Sequence, residues 1–283
     1  MTTDPEENEV APRDRYTHGH HESVLRSHTW RTVDNSAAYL APHLVPGLDV
    51  LDLGCGPGTI TVDIARRVGP GRVVGIDVAP EIVEQARGHG VDNGLANAEF
   101  LVADAYALPF DDDTFDVVHA HQTMQHLSRP TQALREALRV LKPGGILAVR
   151  DVDYGGVTWY PQSRGLASWM SVYQAVARSN EGEPDAGRFL KAWVRAAGFT
   201  DVQCTASVWC FASDAEREWW GDSWALRATE SAFAAHAIET GRASVAELGA
   251  IADAWIAWKL DPDGWMQMPH GEVIARKPVD AKR

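Results

Sequence analysis

The chain of 283 residues is poor in cysteine, in basic residues and in long apolar runs. Three cysteines, Cys55, Cys204 and Cys210, cannot staple a disulfide framework. None belongs to a Cys-x-x-Cys pair of the kind that holds structural zinc. Only 26 Lys and Arg face 39 Asp and Glu, a formal net charge of -13. A surface of that sign repels phosphate backbones, so nucleic acid is not expected as a partner. No apolar run approaches the roughly 18 residues that span a bilayer, so membrane insertion is not expected either. The opening MTTDPEENEV lacks the basic head and apolar centre of a secretory signal, and a cytoplasmic location is expected. Tryptophan is scarce in one half: of 11, only Trp30 precedes residue 151.

What is present is an alternation of short apolar runs and helical patterns. Residues 1–12, all but devoid of apolar side chains, read as a disordered tail. Residues 13–46 read as a helical segment. Val50–Leu53, Arg72–Val78, Glu99–Asp104, Phe115–His121 and Ile146–Asp151 read as strands. Helices are expected at Ile60–Val68, from Pro80, and at Pro130–Leu141, with Gly and Pro between. Near-continuous apolar strands separated by helices predict a doubly wound, parallel α/β sheet. Beyond it, helices are predicted near Leu166–Ala177 and at Arg188–Ala197, and a strand at Thr200–Trp209. A helical stretch from Ser213 to about Leu260 follows, then a last strand at Glu272–Arg276 after Pro269-His270-Gly271.

The loop Asp52-Leu53-Gly54-Cys55-Gly56-Pro57-Gly58 joins the first strand to the first helix of that alternation. Closely spaced glycines let backbone approach a ligand, and a helix N-terminus supplies unpaired amides. Thr59 stands where the dinucleotide fingerprint needs its third glycine, and no Walker lysine follows. Asp77 ends the second strand, 19 residues after Gly58, where a carboxylate can accept both hydroxyls of a ribose. Asp104 ends the third strand, where it can accept from an adenine amino group. His121 and Gln122 end the fourth, at the carboxyl edge where open sheets place ligands.

These residues resemble the class I S-adenosylmethionine-dependent methyltransferases, and most nearly the small-molecule branch that contains the quinone-biosynthesis C-methyltransferases. The resemblance rests on LDLGCGPG (51–58), VVGIDVAPEIVEQAR (73–87), ADAYALPFDDDTFDVV (103–118) and LREALRVLKPGGILAV (134–149). It implies a seven-stranded Rossmann-like sheet whose last strand is antiparallel, in a single domain spanning 13–283. Segments 154–185 and 211–264 would be cap insertions, and 13–46 a helical cover. It implies S-adenosyl-L-methionine as cofactor, held by Asp52, Gly54, Cys55, Gly56 and Gly58, by Asp77 and Val78, by Asp104 and Ala105, and by His121 and Gln122. His121 is the candidate catalytic residue, since an imidazole suits a general base at neutral pH.

The acceptor is expected to be a small, partly apolar metabolite, methylated on O, C or N by in-line displacement. Tyr16, Arg31, His126, Trp159, Trp220 and Trp224 are the candidate acceptor-binding residues. No Asn/Asp-Pro-Pro-Tyr motif follows the fourth strand; the chain there reads HAHQTMQHL. Neither the acidic run at 111–113 nor the histidines at 18, 20 and 21 is read as a metal site. A homodimer is a candidate assembly. The competing readings are a cofactor-binding regulatory or scaffold protein without transfer activity, and a protein methyltransferase.

Overall fold

The computed structural model describes residues 30–279. The parallel strands lie between helices that cover both faces of the sheet, and all but the one at the edge are mostly buried. They are β1 (Val50–Leu53), β2 (Val73–Asp77), β3 (Ala98–Val102), β4 (Phe115–His121) and β5 (Leu141–Val152). β6 (Thr158–Tyr160), β7 (Thr200–Phe211) and β8 (Trp265–Arg276) complete the sheet. The spatial order is β3-β2-β1-β4-β5-β8-β6, with β7 also paired to β8. β1 to β5 are mutually parallel, and β8 runs antiparallel to β5, β6 and β7. The doubly wound sheet and its antiparallel last strand are therefore as expected, with three-residue β6 as an eighth strand. The order reverses between β1 and β4, which makes their carboxyl ends the crevice of the sheet.

Helices α1 (Val33–Ser36), α2 (Thr59–Val68), α3 (Pro80–Asp92) and α4 (Pro130–Val140) belong to the first half. α5 (Arg164–Ser179), α6 (Ala186–Ala197), α7 (Asp214–Glu230), α8 (Ala232–Glu239) and α9 (Val245–Leu260) follow. One sheet face packs under the segment 33–44 and α2; the other packs on α4 and α6. A third apolar cluster joins α5 to α7, α8 and α9, with Trp169, Trp224 and Trp255 fully buried.

The helical stretch expected from Ser213 to about Leu260 is divided into three helices. Ser213 and Ser244 each close a capping box, with Glu216 and Glu247, and Ser231 caps α8 through the amide of Phe233. The last strand starts seven residues earlier than expected, because Pro269-His270-Gly271 is strand rather than turn. Gly271 is needed for close approach: a Cβ there would stand 2.1 Å from the carbonyl oxygen of Gly187 in α6. The N-terminal segment, where described, is mostly irregular, with only α1 and a 3-10 turn at Ala41–His43. Tyr16, and the histidines at 18, 20 and 21, lie outside the described residues.

Candidate active site

After β1 the backbone turns through Gly54, Gly56 and Gly58, at φ 67°, 54° and 82°. L side chains rarely adopt this region. At Gly54 the demand is also spatial: a Cβ would lie 2.5 Å from Thr123 Oγ1. That hydroxyl donates to the carbonyl of Leu53 at 3.0 Å, so the turns after β1 and β4 are in contact. α2 then starts at Thr59 without a side-chain cap.

Asp77 closes on this loop. Its Oδ2 accepts from the amide of Gly56 at 3.1 Å, and its Oδ1 from the amide of Ala79 at 3.1 Å. Val78 beside it is 60% exposed, an apolar side chain left at the crevice wall. Asp104 lies two residues past β3, exposed, and accepts from the amide of Tyr106 at 2.8 Å; Ala105 is half-buried. Asp52 sits behind the loop with both oxygens engaged. Thr61 donates to one at 2.5 Å, and His119 Nδ1 lies 2.7 Å from the other. Asp52 thus braces β1, α2 and β4 from within. Burial holds the thiol of Cys55 well above its usual pKa, so it is a neutral wall of the loop.

His119 and His121 share one face of β4. His121 pairs in register with Arg150 on β5, which in turn pairs with Glu272 on β8. All three side chains are buried. Arg150 Nε contacts Glu272 Oε1 at 3.2 Å, and its NH1 lies 3.5 Å from His121 Nδ1. Glu272 also accepts from Thr205 at 2.8 Å and from Ser207 at 2.5 Å. A guanidinium only donates, so Nδ1 of His121 accepts and Nε2 carries the proton. That Nε2, and NH2 of Arg150, are buried without a hydrogen-bond partner among the described residues. Burial first, and Arg150 second, hold the His121 pKa well below the usual histidine range. Burial lowers that of Arg150 to about 10.

Gln122, next in the chain, has φ 52°, an unusual value for a glutamine. Its side chain bridges two distant elements. His270 Nδ1 donates to the carbonyl of Met268 at 3.0 Å, so its Nε2 accepts from Gln122 Nε2 at 2.8 Å. Gln122 Oε1 accepts from Arg31 at 2.7 Å. The chain of donors Arg31, Gln122, His270 runs in one direction and ties the N-terminal segment to β8. The Trp209 ring lies 4.4 Å from the His270 ring, with the Arg31 and Arg150 guanidiniums 5.6 Å and 4.9 Å from its centroid. A crevice of about 290 Å³ opens here between the N-terminal segment and β7, lined by Trp30, Asn35, Ser36, Arg150, Ser207 and Glu272 among others.

The structure thus brings Gly54, Gly56, Asp77, His121, Gln122 and Arg31 to one edge of the sheet. His126 lies half-buried in the 3-10 turn after β4. Trp220 and Trp224 do not join that edge; they pack inside the helical layer, Trp220 against Phe211 at 4.3 Å and Trp224 against Trp255 at 5.8 Å. Trp159 is half-buried on β6 beside Trp169. The acidic run is spent on surface ion pairs, Asp112 with Arg139 and Asp113 with Lys277. Sequence reasoning passed over Arg150, Asp151, His270 and Glu272. Asp151 is buried, its Oδ1 accepts from the amide of Gln125 at 3.3 Å, and burial pushes its pKa up to about 8. The readable signal was the pair Arg150-Asp151 directly after the apolar run Ile146–Val149.

Comparison with known proteins gives this edge a context. Residues 44–198 match a family model described as a methyltransferase domain. An uncharacterized methyltransferase of Schizosaccharomyces pombe, C1B3.06c, is 31% identical over 272 residues, 93% of this chain and 96% of that one. The demethylmenaquinone methyltransferase of Lactococcus lactis is 34% identical over 171 residues, 56% of this chain and 68% of that one. Among solved structures, the [4+2]-cyclase SpnF superposes with a TM-score of 0.53 at 25% identity, covering 94% of this chain and 89% of its own. The chain belongs to the methyltransferase-domain family and is an S-adenosylmethionine-dependent methyltransferase.

Proposed function

We propose that the chain methylates a small, partly apolar metabolite at the edge formed by the ends of β1, β2 and β4. The observation that carries this reading is the closed contact between the glycine loop and Asp77 at the point where the strand order reverses. The donor set fits the cofactor. Asp77 offers a carboxylate to a ribose diol, Val78 an apolar wall, and Asp104 an acceptor for an amino group. The loop at Gly54, Cys55, Gly56 and Gly58 gives room for the amino-acid end, with Asp52 bracing it from behind. S-adenosylmethionine supplies a methyl already activated on a sulfonium, so the reaction is an in-line displacement.

The protein's work is then positioning and exclusion of water, which alone is worth several kcal/mol. His121 presents a protonated Nε2 and no free lone pair. We therefore read it as a neutral donor that orients the acceptor, and not as the general base its place in the sequence suggested. Gln122 holds Arg31 across the opening, and the Trp209 ring with its two guanidiniums forms a wall suited to a planar or anionic acceptor. Trp220 and Trp224, being packed in the layer behind, would shape the acceptor site only indirectly. A panel of hydroquinones, phenols and amines, incubated with cofactor labelled in its methyl group, should yield a labelled product. Cofactor binding without labelled product from any class would favour a binding role instead, and label in co-incubated protein would favour a protein methyltransferase.

A further inference from the structure

β7 is twelve residues long, and only one of its sides is used. It pairs with β8 along its length, and among the described residues no other strand or loop takes its outer amides and carbonyls. Proteins usually blunt such an edge with lysine, proline, an inward charge or a bulge. β7 has a bulge only at its start, between Thr200 and Gln203. From Val202 to Ser213 the chain reads VQCTASVWCFAS, with neither charge nor proline. Gln203, Cys204, Thr205, Ala206, Val208 and Cys210 are exposed.

The occupant follows from charge and symmetry. Two copies of a chain carrying a net charge of -13 repel over most of their surfaces. The uncharged edge is where they can approach. The free stretch Gln203–Phe211 is centred on Ser207, so a two-fold axis at Ser207 lays all of it on a second copy. α6 packs beside β7 and adds Phe189, 39% exposed and stacked on Trp193 at 5.7 Å. We propose that β7 is a homodimer interface, pairing antiparallel with β7 of a second copy about Ser207 to make one sheet through both chains.

This register sets Cys204 opposite the partner's Cys210, and Ala206 opposite the partner's Val208. These side chains alternate with Ser207 and Trp209 along β7, and Val208 and Cys210 also border the crevice beside Arg150. Opposed residues of antiparallel strands have Cα atoms about 4.5–5.5 Å apart, within disulfide range. The proposal stands independently of the acceptor.

Sedimentation of the full chain at micromolar concentration should give the mass of two chains. Copper–phenanthroline with dioxygen as oxidant should remove one hydrogen from each thiol and join Cys204 to the partner's Cys210, identified by peptide mapping. The pair A206K/V208K sets lysine against lysine twice and should weaken dimerisation by at least about 100-fold. A206K/V208E sets lysine against glutamate and should keep the dimer. A monomeric wild type would overturn the proposal, as would a dimer indifferent to A206K/V208K. A link joining two Cys204 residues would overturn the register. A monomer whose amides at 203–211 resist hydrogen exchange would assign the edge to another part of the same chain, and would equally overturn it.

Discussion

The turns after β1, β2 and β4 are held by backbone amides and carboxylates; the layer of α5, α7, α8 and α9 is held by indole rings. At the turns each partner is specific. Asp77 takes the amides of Gly56 and Ala79, Gly54 leaves room for Thr123, and Gln122 joins Arg31 to His270. In the layer, Trp224 meets Trp169 at 4.8 Å and Trp255 at 5.8 Å, contacts that need volume and little else. The difference teaches why one half carries a motif and the other does not. Binding fixes residue identity at fixed spacing, whereas packing accepts many solutions of equal volume.

Substitutions should separate the two regions cleanly. The largest effect is expected at Trp224→Ala, about 3–5 kcal/mol of stability by denaturant unfolding, from a cavity in a fully buried ring cluster. Affinity for S-adenosylhomocysteine per folded molecule should not change; a parallel loss of affinity would erase the division. Asp77→Ala should weigh on binding first, lowering calorimetric affinity by at least about 100-fold through lost charge-assisted hydrogen bonds to the ribose, with a smaller loss of stability than Trp224→Ala from the amides of Gly56 and Ala79 that it leaves. Tight binding in that variant would remove the ribose assignment.

Asp151, next to Arg150 at the seam, should reveal itself through pH. Its pKa rises from 3.8 unfolded to about 8 folded, so the folded state holds a proton that the unfolded state has lost. Stability contributed by this group therefore falls as pH rises from 3.8 towards 8. Asp151→Asn should exceed wild type in stability at pH 8, with the gap closing towards pH 4; a gap independent of pH would contradict the burial. The smallest effect is expected at Gln122→Gly. Glycine takes φ 52° freely, so the fold should persist while Arg31 loses its contact. Tryptic cleavage after Arg31 should quicken by about fivefold, the worth of one hydrogen bond, as followed by mass spectrometry.

Much of the first half was legible. β1, β2 and β4 read as apolar runs because both their faces are covered, and Asp77 and the glycines stand at their expected ends. What escaped reading depends on partners far away. Arg150 meets Glu272 across 122 positions and Gln122 meets His270 across 148, distances at which no local pattern survives. Pro269-His270-Gly271 carries turn composition, yet Gly271 serves the approach of α6 and the strand runs through. Trp220 and Trp224 looked like pocket residues because aromatic rings line pockets and cores alike. The breaks at Ser231 and Ser244 were readable as caps, but the apolar content on either side masked them.

β8 has a temporal consequence as well. It receives β5 on one side and β6 and β7 as its other partners, and it is the last of these strands to be synthesised. Until residues 265–276 emerge, the nascent chain holds two strands with no ladder to join and a helical layer with no sheet edge to rest on. The first five strands can assemble during translation, since their partners precede β8 in the chain. The tryptophan-rich remainder must wait, and its apolar surface is then what a chaperone would meet.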